Sequence, residues 1–212
     1  MYNRFIKRAI DIVLTIISLT LFAPICLVVA IAIKLDSPGP LLADTPRRVG
    51  RHGKPFKMFK FRSMNENAHE LMRTDPQYAK LFEEFKSNSF KLVHDPRVTK
   101  VGRFIRKYSL DEVPQFLNVL KGEMSIVGPR AYYQDELDHQ LTKFKDVKDE
   151  VDLVLSVRPG ITGLWQVSGR SDVNFDKRIK LDAQYARDLS LIRDLGIIIK
   201  TPIAMITGRG AV

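Results

Sequence analysis

Residues 12–33 read IVLTIISLTLFAPICLVVAIAI and carry no formal charge. An α-helix needs about 20 such residues to cross the hydrocarbon core of a bilayer, and no other stretch of the chain meets that length. Pro24 lies near the middle of the segment, where proline removes a backbone donor and clashes with the preceding turn. A kinked spanning helix and a helix that breaks at Pro24 and leaves on the side of entry both fit this pattern.

Basic residues flank both ends of this segment. Three of them lie within the first eight residues, and residues 34–62 contain eight Lys or Arg against two Asp. A spanning helix normally has one clearly more basic end, which faces the cytosol, whereas here both ends look cytosolic. We therefore expect residues 1–36 to form a re-entrant membrane helix hairpin broken at Pro24, with a straight spanning helix as the alternative. A signal peptide is disfavoured because no small-residue cleavage site follows the run.

The composition indicates a folded protein with a polyanionic partner. With 45% hydrophobic and 27% charged residues, an intrinsically disordered chain is excluded. The net charge of +10 predicts nucleic acid, an anionic membrane face or phosphorylated substrates as partners. The sequence contains no recognition motif for nucleic acid, so we expect no such partner. Its single cysteine, Cys26, excludes an internal disulfide and a multi-cysteine metal site.

Residues 37–212 are predicted to form one integrated cytosolic part of the α+β class, mainly helical. A hairpin turn at residues 49–55 leads into residues 56–62, whose alternating apolar and basic residues predict a strand with one buried and one cationic face. Helices are predicted at residues 65–74, 77–87 and 176–189, and a loop at residues 158–163. Residues 190–207 are strongly apolar but carry charges, which favours amphipathic helices at a membrane interface over a second span.

Two adjacent carboxylates, Asp111 and Glu112, lie in a basic stretch of the chain. Ser109 and Glu112 match a capping box, which predicts a helix start and leaves a purely structural role as the alternative. Helix starts favour phosphate binding, and with adjacent acids one carboxylate can attack while the other holds a divalent cation. The flanking basic residues are Arg103, Arg106, Lys107, Lys121 and Arg130. Two acids in a basic frame are typical of a phosphoryl-transfer site.

Several stretches of the chain resemble the bacterial sugar transferases, which are monotopic phosphoglycosyl transferases. They are SPGP from residue 37, RRVGRHGKPFKMFKFRSM from residue 47, SLDEVPQFLNVLKGEMSIVGPR from residue 109, RPGITGLWQVSGR from residue 158 and DAQY from residue 182. The resemblance covers nearly the whole chain, and motifs of this length and order are specific. GLWQVSGR and the closing RGAV are most similar to undecaprenyl-phosphate hexose-1-phosphate transferases. Those usually carry a further N-terminal membrane region, so we expect a short form or an excised catalytic domain.

The resemblance implies transfer of a hexose 1-phosphate from a UDP-sugar to polyprenyl (undecaprenyl) phosphate, with release of UMP. The reaction would be the first membrane step of exopolysaccharide, O-antigen or capsule biosynthesis, at the cytosolic face of the bacterial inner membrane. In the family's ping-pong mechanism, Asp111 would attack the sugar-bound phosphate and form a covalent aspartyl phosphosugar, which the polyprenyl phosphate then attacks. Glu112 would coordinate Mg²⁺ next to Asp111.

The resemblance and the basic pattern also predict residues that bind substrate. We expect Arg106 to bind phosphate near the two acids. Asp182 is expected to be an active-site carboxylate that supports Arg106 or the metal, with a helix-surface position as the alternative. The remaining candidates are Lys60, Arg62, Arg130, Arg158 and Arg170. The alternative for Lys60 and Arg62 is a solvated basic face of the strand. The alternative for Arg158 and Arg170 is stabilisation of a loop.

The other expected partners are anionic membrane lipids, and a homodimer is an option that the sequence leaves open. The sequence does not fix the sugar. Glucose and galactose are our first choices, ahead of N-acetylated hexosamines.

Overall fold

The structure, a computed structural model, describes residues 4–87, 92, 95–168 and 174–206 and is mainly helical, as the sequence predicts. In chain order, the helices of these residues are α1 (Arg4–Asp36), α2 (Ala68–Thr74), α3 (Ala79–Ser87), α4 (Lys100–Lys107), α5 (Gln115–Lys121), α6 (Gln134–Lys143), α7 (Lys148–Leu155), α8 (Leu164–Val167), α9 (Phe175–Arg187) and α10 (Leu191–Ile206). The strands are β1 (Arg48–Val49), β2 (Pro55–Phe56), β3 (Ser125–Val127) and β4 (Gly160–Thr162).

Helix α1 packs one face against the rest of the protein and leaves an apolar face exposed. Its buried residues, Asp11, Thr15, Val29 and Ile33, fall on one side of the helix. The exposed side carries large apolar residues such as Phe5, Leu21, Val28 and Leu35. Within the described residues, α1 is the one helix long and apolar enough to cross a membrane. It continues through Pro24, so a hairpin broken at this residue is not seen and stays a prediction.

Both ends of α1 are bonded to the same globular body. Near its start, Lys7 Nζ donates to Asp194 Oδ2 of α10 over 2.8 Å, and Arg8 donates to the last carbonyls of α5. At its end, Asp36 Oδ2 accepts a hydrogen bond of 3.1 Å from the backbone N–H of Val101 in α4. The start and the end of α1 therefore both contact the same folded body.

The strands form two small sheets. β1 pairs with β2 in the antiparallel hairpin that the sequence predicts, but the strand predicted at residues 56–62 is wrong beyond Phe56. Residues 57–60 belong to no strand, although the carbonyl of Lys60 accepts from the backbone N–H of Ala43, and Phe61 forms one isolated bridge with Leu42. The loop predicted at residues 158–163 contains β4, which pairs in parallel with β3.

Two glycines allow β3 and β4 to meet closely. A Cβ atom on Gly160 would lie 2.1 Å from the backbone N of Gly128, which no side chain tolerates. Gly128 and Pro129 directly follow β3, so this contact fixes the point from which Arg130 leaves the strand.

The predicted helices are confirmed, with small shifts at their ends. α2 and α3 replace residues 65–74 and 77–87, with a short 3₁₀ turn at Pro76–Tyr78, and α9 covers most of residues 176–189. Within residues 190–207, α10 covers Leu191–Ile206 and carries exposed apolar residues such as Ile192, Ile199 and Ile203. α7 packs along α9, and side chains of both helices form one hydrophobic core with Tyr132. β3 and α10 contribute to a second core around Met124 and Val127.

Candidate active site

Asp111 and Glu112 lie in a single 3₁₀ turn, Leu110–Glu112, between α4 and α5. The predicted capping box is wrong. Ser109 adopts the left-handed conformation at φ 53° and its side chain makes no capping bond, while the Glu112 carboxylate binds Lys60 instead. α5 begins only at Gln115, after Pro114. The two acids are therefore placed by a turn and by a lysine rather than by a helix start.

Lys60 lies between the two carboxylates. Its Nζ is 2.6 Å from Glu112 Oε1 and 3.5 Å from Asp111 Oδ2. The backbone N–H of Phe61, the next residue, donates to the carbonyl oxygen of Asp111 over 2.9 Å. One extended segment thus contacts the backbone and the side chains of the acidic pair.

Asn118 of α5 holds this segment in place. Its Oδ1 accepts from the backbone N–H of Phe59 over 2.9 Å, and its Nδ2 donates to the carbonyl of Lys57 over 2.8 Å. Asn118 is fully buried, where both amide groups need partners. The side chain of one residue of α5 therefore bonds the backbone on both sides of Met58, close to Lys60.

The surroundings separate the pKa values of the two acids. Burial raises the pKa of Asp111, although the charges of Lys60 and Arg106 oppose the shift. Burial acts on Glu112 in the same direction, but the charge and hydrogen bond of Lys60, with help from two arginines, outweigh it and lower the pKa. Asp111 is therefore the more basic of the two carboxylates, which favours nucleophilic attack once it is ionised.

The acidic pair faces a cavity of about 460 Å³ with a cationic wall. Among the basic residues that line it are Lys60, Arg48, Arg97, Arg106 and Arg130, and the lining also includes Ala68 of α2, Phe85 and Leu92. Arg106 is among the charges that act on Asp111, whereas Arg130 and Arg48 act on Glu112. The basic residues are thus divided between the two acids.

Four of the predicted substrate-binding residues line this cavity, namely Lys60, Arg62, Arg106 and Arg130. The Arg62 guanidinium, however, is engaged elsewhere. It donates to the carbonyls of Pro40 and Ser37 over 2.6 and 2.8 Å and is buried. Arg62 therefore fixes the chain after α1 and does not form the solvated cationic face that was its alternative.

Arg158 lies away from the two acids. Its Nε donates to the carbonyl of Gly122 over 2.7 Å, and it lines a small separate pocket next to the start of α1. This position favours the loop-stabilising alternative, because the strand β4 follows directly. Arg170 lies outside the described residues.

Asp182 is completely buried behind the cavity wall. Its Oδ2 accepts from the backbone N–H of Arg130 over 3.0 Å and from the Tyr132 hydroxyl over 3.1 Å. Burial is the main reason that its pKa is raised to about 7. The helix-surface alternative is wrong, and the carboxylate contacts the segment that carries Arg130 rather than Arg106.

Arg48 is a residue of the cavity wall that the sequence reasoning missed. It is buried, its Nη1 donates to the carbonyl of Ala131 over 3.1 Å, and its guanidinium lies 3.3 Å from the centre of the Tyr133 ring. The RRVG stretch next to the predicted hairpin was the available signal. The contacts with Ala131 and Tyr133 join residues more than 80 positions apart, which no local pattern shows.

The acidic pair fits a Mg²⁺ ion that is completed by substrate. Mg²⁺ usually takes one or two protein carboxylates and fills its octahedron with phosphate oxygens and water. Asp111 and Glu112 supply hard oxygen ligands on the cavity wall, and the described residues contain no larger cluster of acidic, His or Cys ligands. The donor set thus suits a metal that arrives with a phosphorylated ligand.

Comparison with known proteins identifies the family of the chain. The family model described as bacterial sugar transferase matches residues 2–208. The chain is 44% identical over 213 aligned positions to the undecaprenyl-phosphate galactose phosphotransferase of Salmonella typhimurium. The alignment covers 99% of this chain and 42% of that protein. It is 40% identical to the UDP-glucose:undecaprenyl-phosphate glucose-1-phosphate transferase of Escherichia coli K12, over 94% of this chain and 40% of that protein.

A shorter relative matches over most of its length. The exopolysaccharide production protein ExoY of Rhizobium meliloti is 40% identical, over 97% of this chain and 87% of that protein. The chain spans about two fifths of the two longer relatives. Since the family model covers almost every residue, the chain belongs to the bacterial sugar transferase family.

Proposed function

We propose that this protein transfers a hexose 1-phosphate from a UDP-sugar to polyprenyl (undecaprenyl) phosphate. The observation that carries the proposal is the pair Asp111 and Glu112, bridged by Lys60 at the wall of a cationic cavity. The names of the relatives support it, since they specify transfer of galactose or glucose phosphate to undecaprenyl phosphate. A further relative from Aeromonas hydrophila is named for N-acetylgalactosamine, so the choice of sugar stays a prediction.

The reaction proceeds in two displacements at phosphorus. A carboxylate oxygen of Asp111 attacks the sugar-bound phosphorus of the donor, the bond to the bridging oxygen breaks, and UMP leaves with that oxygen. The product is an aspartyl phosphosugar. An oxygen of the polyprenyl phosphate then attacks the same phosphorus, which breaks its bond to Asp111 and restores the carboxylate. The raised pKa of Asp111 makes its ionised form a stronger nucleophile than that of Glu112.

The neighbouring charges support both displacements. Lys60 keeps the two acids from repelling each other and the incoming donor, because it places one positive charge between them. Arg106 and Arg130 offset the charge of the diphosphate. When bound, Mg²⁺ held by Glu112 and Asp111 supplies Lewis-acid polarisation of the phosphoryl oxygens.

The same proposal includes a position at the bacterial inner membrane, with a monotopic α1 and the site on the cytosolic face. Its support is the attachment of both ends of α1 to one body, through Lys7 and Asp36. Large apolar residues are also exposed on the helices beside α1, and they include Phe104 of α4, Leu117 of α5 and Ile192 of α10. Such surfaces favour burial at the boundary of a membrane. Contact with anionic lipids and a homodimer remain predictions of the sequence.

A two-stage experiment tests the proposed function. The purified protein is incubated with Mg²⁺, a short-chain polyprenyl phosphate and UDP-glucose, UDP-galactose or UDP-N-acetylgalactosamine in turn, and release of UMP is measured. Intact-protein mass spectrometry after incubation with the active donor alone should show the added hexose phosphate. Asp111→Asn should lose both signals, whereas Asp149→Asn, an exposed change on α7, should keep them. An active Asp111→Asn enzyme would disprove the nucleophile assignment.

A further inference from the structure

Arg48 carries a buried positive charge with few partners. The residue is 8% exposed. Its guanidinium donates to the carbonyl of Ala131 and lies over the face of the Tyr133 ring. Its Nε has no hydrogen-bond partner among the described residues. Burial and the charge of Arg130 lower the pKa of Arg48, and the charges of Glu136 and Glu112 oppose the shift only in part.

The other buried arginines are satisfied differently. Arg97 is bonded to Asp95 at 2.6 Å, and Arg178 to Glu136 at 3.1 Å. Arg62 donates to carbonyl and hydroxyl oxygens after α1. Arg48 alone among these four faces the cavity without either a carboxylate or a set of oxygen acceptors in the described part of the chain.

Arg130 adds a second such group at the same wall. Its Nε is also buried without a hydrogen-bond partner among the described residues, and it forms no ion pair with them at 4 Å or less. Its backbone is next to Ala131, the carbonyl of which holds Arg48. Both arginines act on Glu112 rather than chiefly on Asp111. Arg130 is half-buried, and the charges of Glu136 and Glu112 help to raise its pKa against desolvation. Two guanidinium groups that line one cavity without a close ion pair in the described residues favour an anion beside them.

We propose that Arg48 and Arg130 together bind one phosphate group on the Glu112 side of the cavity. The inference rests on the proposed function and adds Arg48 to its binding residues. Planar guanidinium groups suit phosphate oxygens, and both of these side chains line the cavity. Tyr133 and the Ala131 carbonyl hold the Arg48 side chain in position before the ligand arrives, which reduces the entropy lost on binding.

Two phosphate groups have the required chemistry, that of the nucleotide and that of the polyprenyl acceptor. Equilibrium binding to the detergent-solubilised full chain separates them. UMP is compared with uridine in one arm, and a short-chain polyprenyl phosphate with the corresponding polyprenol in the other. We expect Arg48→Gln to lose about tenfold or more in affinity for one phosphorylated ligand, while its affinity for the matching unphosphorylated compound stays unchanged.

The unphosphorylated compounds serve as internal controls for a damaged fold. Arg51→Gln, in the same hairpin but outside the cavity, should keep wild-type affinity for all four compounds. Arg48→Lys should be intermediate, because it keeps a charge but loses the planar group. Unchanged affinity of Arg48→Gln for both phosphorylated ligands, or equal losses for phosphorylated and unphosphorylated compounds, would overturn the inference. Failure of the wild-type protein to release UMP from any UDP-sugar would instead count against the proposed function.

Discussion

Lys60 Nζ lies 2.6 Å from Glu112 Oε1, a shorter contact than its 3.5 Å distance to Asp111 Oδ2. The lysine therefore neutralises Glu112 more strongly, which lowers the pKa of Glu112 although burial opposes the change. The pKa of Asp111 stays raised by burial. One lysine thus gives two adjacent carboxylates different basicities, which is what a division between nucleophile and metal ligand requires.

Replacing Lys60 by Met should reduce turnover by about 100-fold or more, since it removes a fixed charge that faces the reacting phosphate. Without that charge, the two adjacent carboxylates repel each other and one of them takes up a proton. Initial rates of UMP release at saturating donor measure the effect. Lys57→Met is the matched control, because Lys57 is exposed and pairs with Asp44 on the surface. Near-normal turnover of Lys60→Met would contradict this role.

Glu112→Gln should raise the Mg²⁺ concentration needed for half-maximal activity. Its lowered pKa keeps Glu112 ionised at neutral pH, and a neutral amide is a weaker ligand for a hard cation. Titration of UMP release with Mg²⁺ measures this change, and excess Mg²⁺ should restore part of the activity. The exposed residue Glu84 of α3 provides the control Glu84→Gln. A variant with an unchanged Mg²⁺ requirement would argue against Glu112 as the ligand.

Asp182→Asn should change how stability depends on pH. The pKa of Asp182 is about 7 in the folded protein and about 4 in an unfolded chain. Between these values the folded state holds a proton that the unfolded state has lost, so this residue makes stability fall as pH rises, until both states are ionised above about 7. Asparagine removes the effect and retains an acceptor for Arg130 N–H and the Tyr132 hydroxyl.

Chemical denaturation at several pH values from about 4 to 8 tests this expectation. The wild-type protein should lose more stability over the range than Asp182→Asn does, and Asp149→Asn should behave like the wild type because Asp149 is exposed. The same slope in wild type and Asp182→Asn would show that the carboxyl does not titrate in this range.

Local patterns in the sequence predicted most helices and identified the acidic pair of the candidate site. The apolar spacing of residues 77–87 predicts α3, and the adjacent acids within a basic stretch identify Asp111 and Glu112. Lys60 was predicted from the cationic face of residues 56–62, and Arg106 from the family resemblance and its place near the two acids. In these cases the signal lies within one turn or one short segment, where single-sequence reasoning is most reliable.

The contacts that the sequence did not show are long-range. Residues 57–61 alternate like a strand, but Lys57 and Phe59 bond to the side chain of Asn118 in α5, and only Phe61 forms a bridge, with Leu42. Arg62 and Arg158 look like substrate-binding residues until their hydrogen bonds to distant carbonyls are known. Arg48 was not predicted as a site residue, because its place in the cavity wall depends on contacts with residues 131–133.

The attachment of α1 predicts the sidedness of its start. Lys7 binds Asp194, and Asp11 accepts from Ser125 Oγ over 2.8 Å and from the backbone N–H of Ile126. These bonds would break if the start of the helix crossed to the far side of a bilayer, and each buried polar group would lose its partner. We therefore expect Phe5 to lie on the same side of the membrane as the catalytic cavity.

Single cysteines in a Cys26→Ala background test this expectation. Phe5→Cys and Asp149→Cys place thiols at two exposed positions, one at the start of α1 and one on the body. In sealed membrane vesicles of defined orientation, an impermeant maleimide should label both from the cytosolic face and neither from the other face. Labelling of the two cysteines from opposite faces would mean that α1 spans the membrane, and the monotopic arrangement would then be wrong.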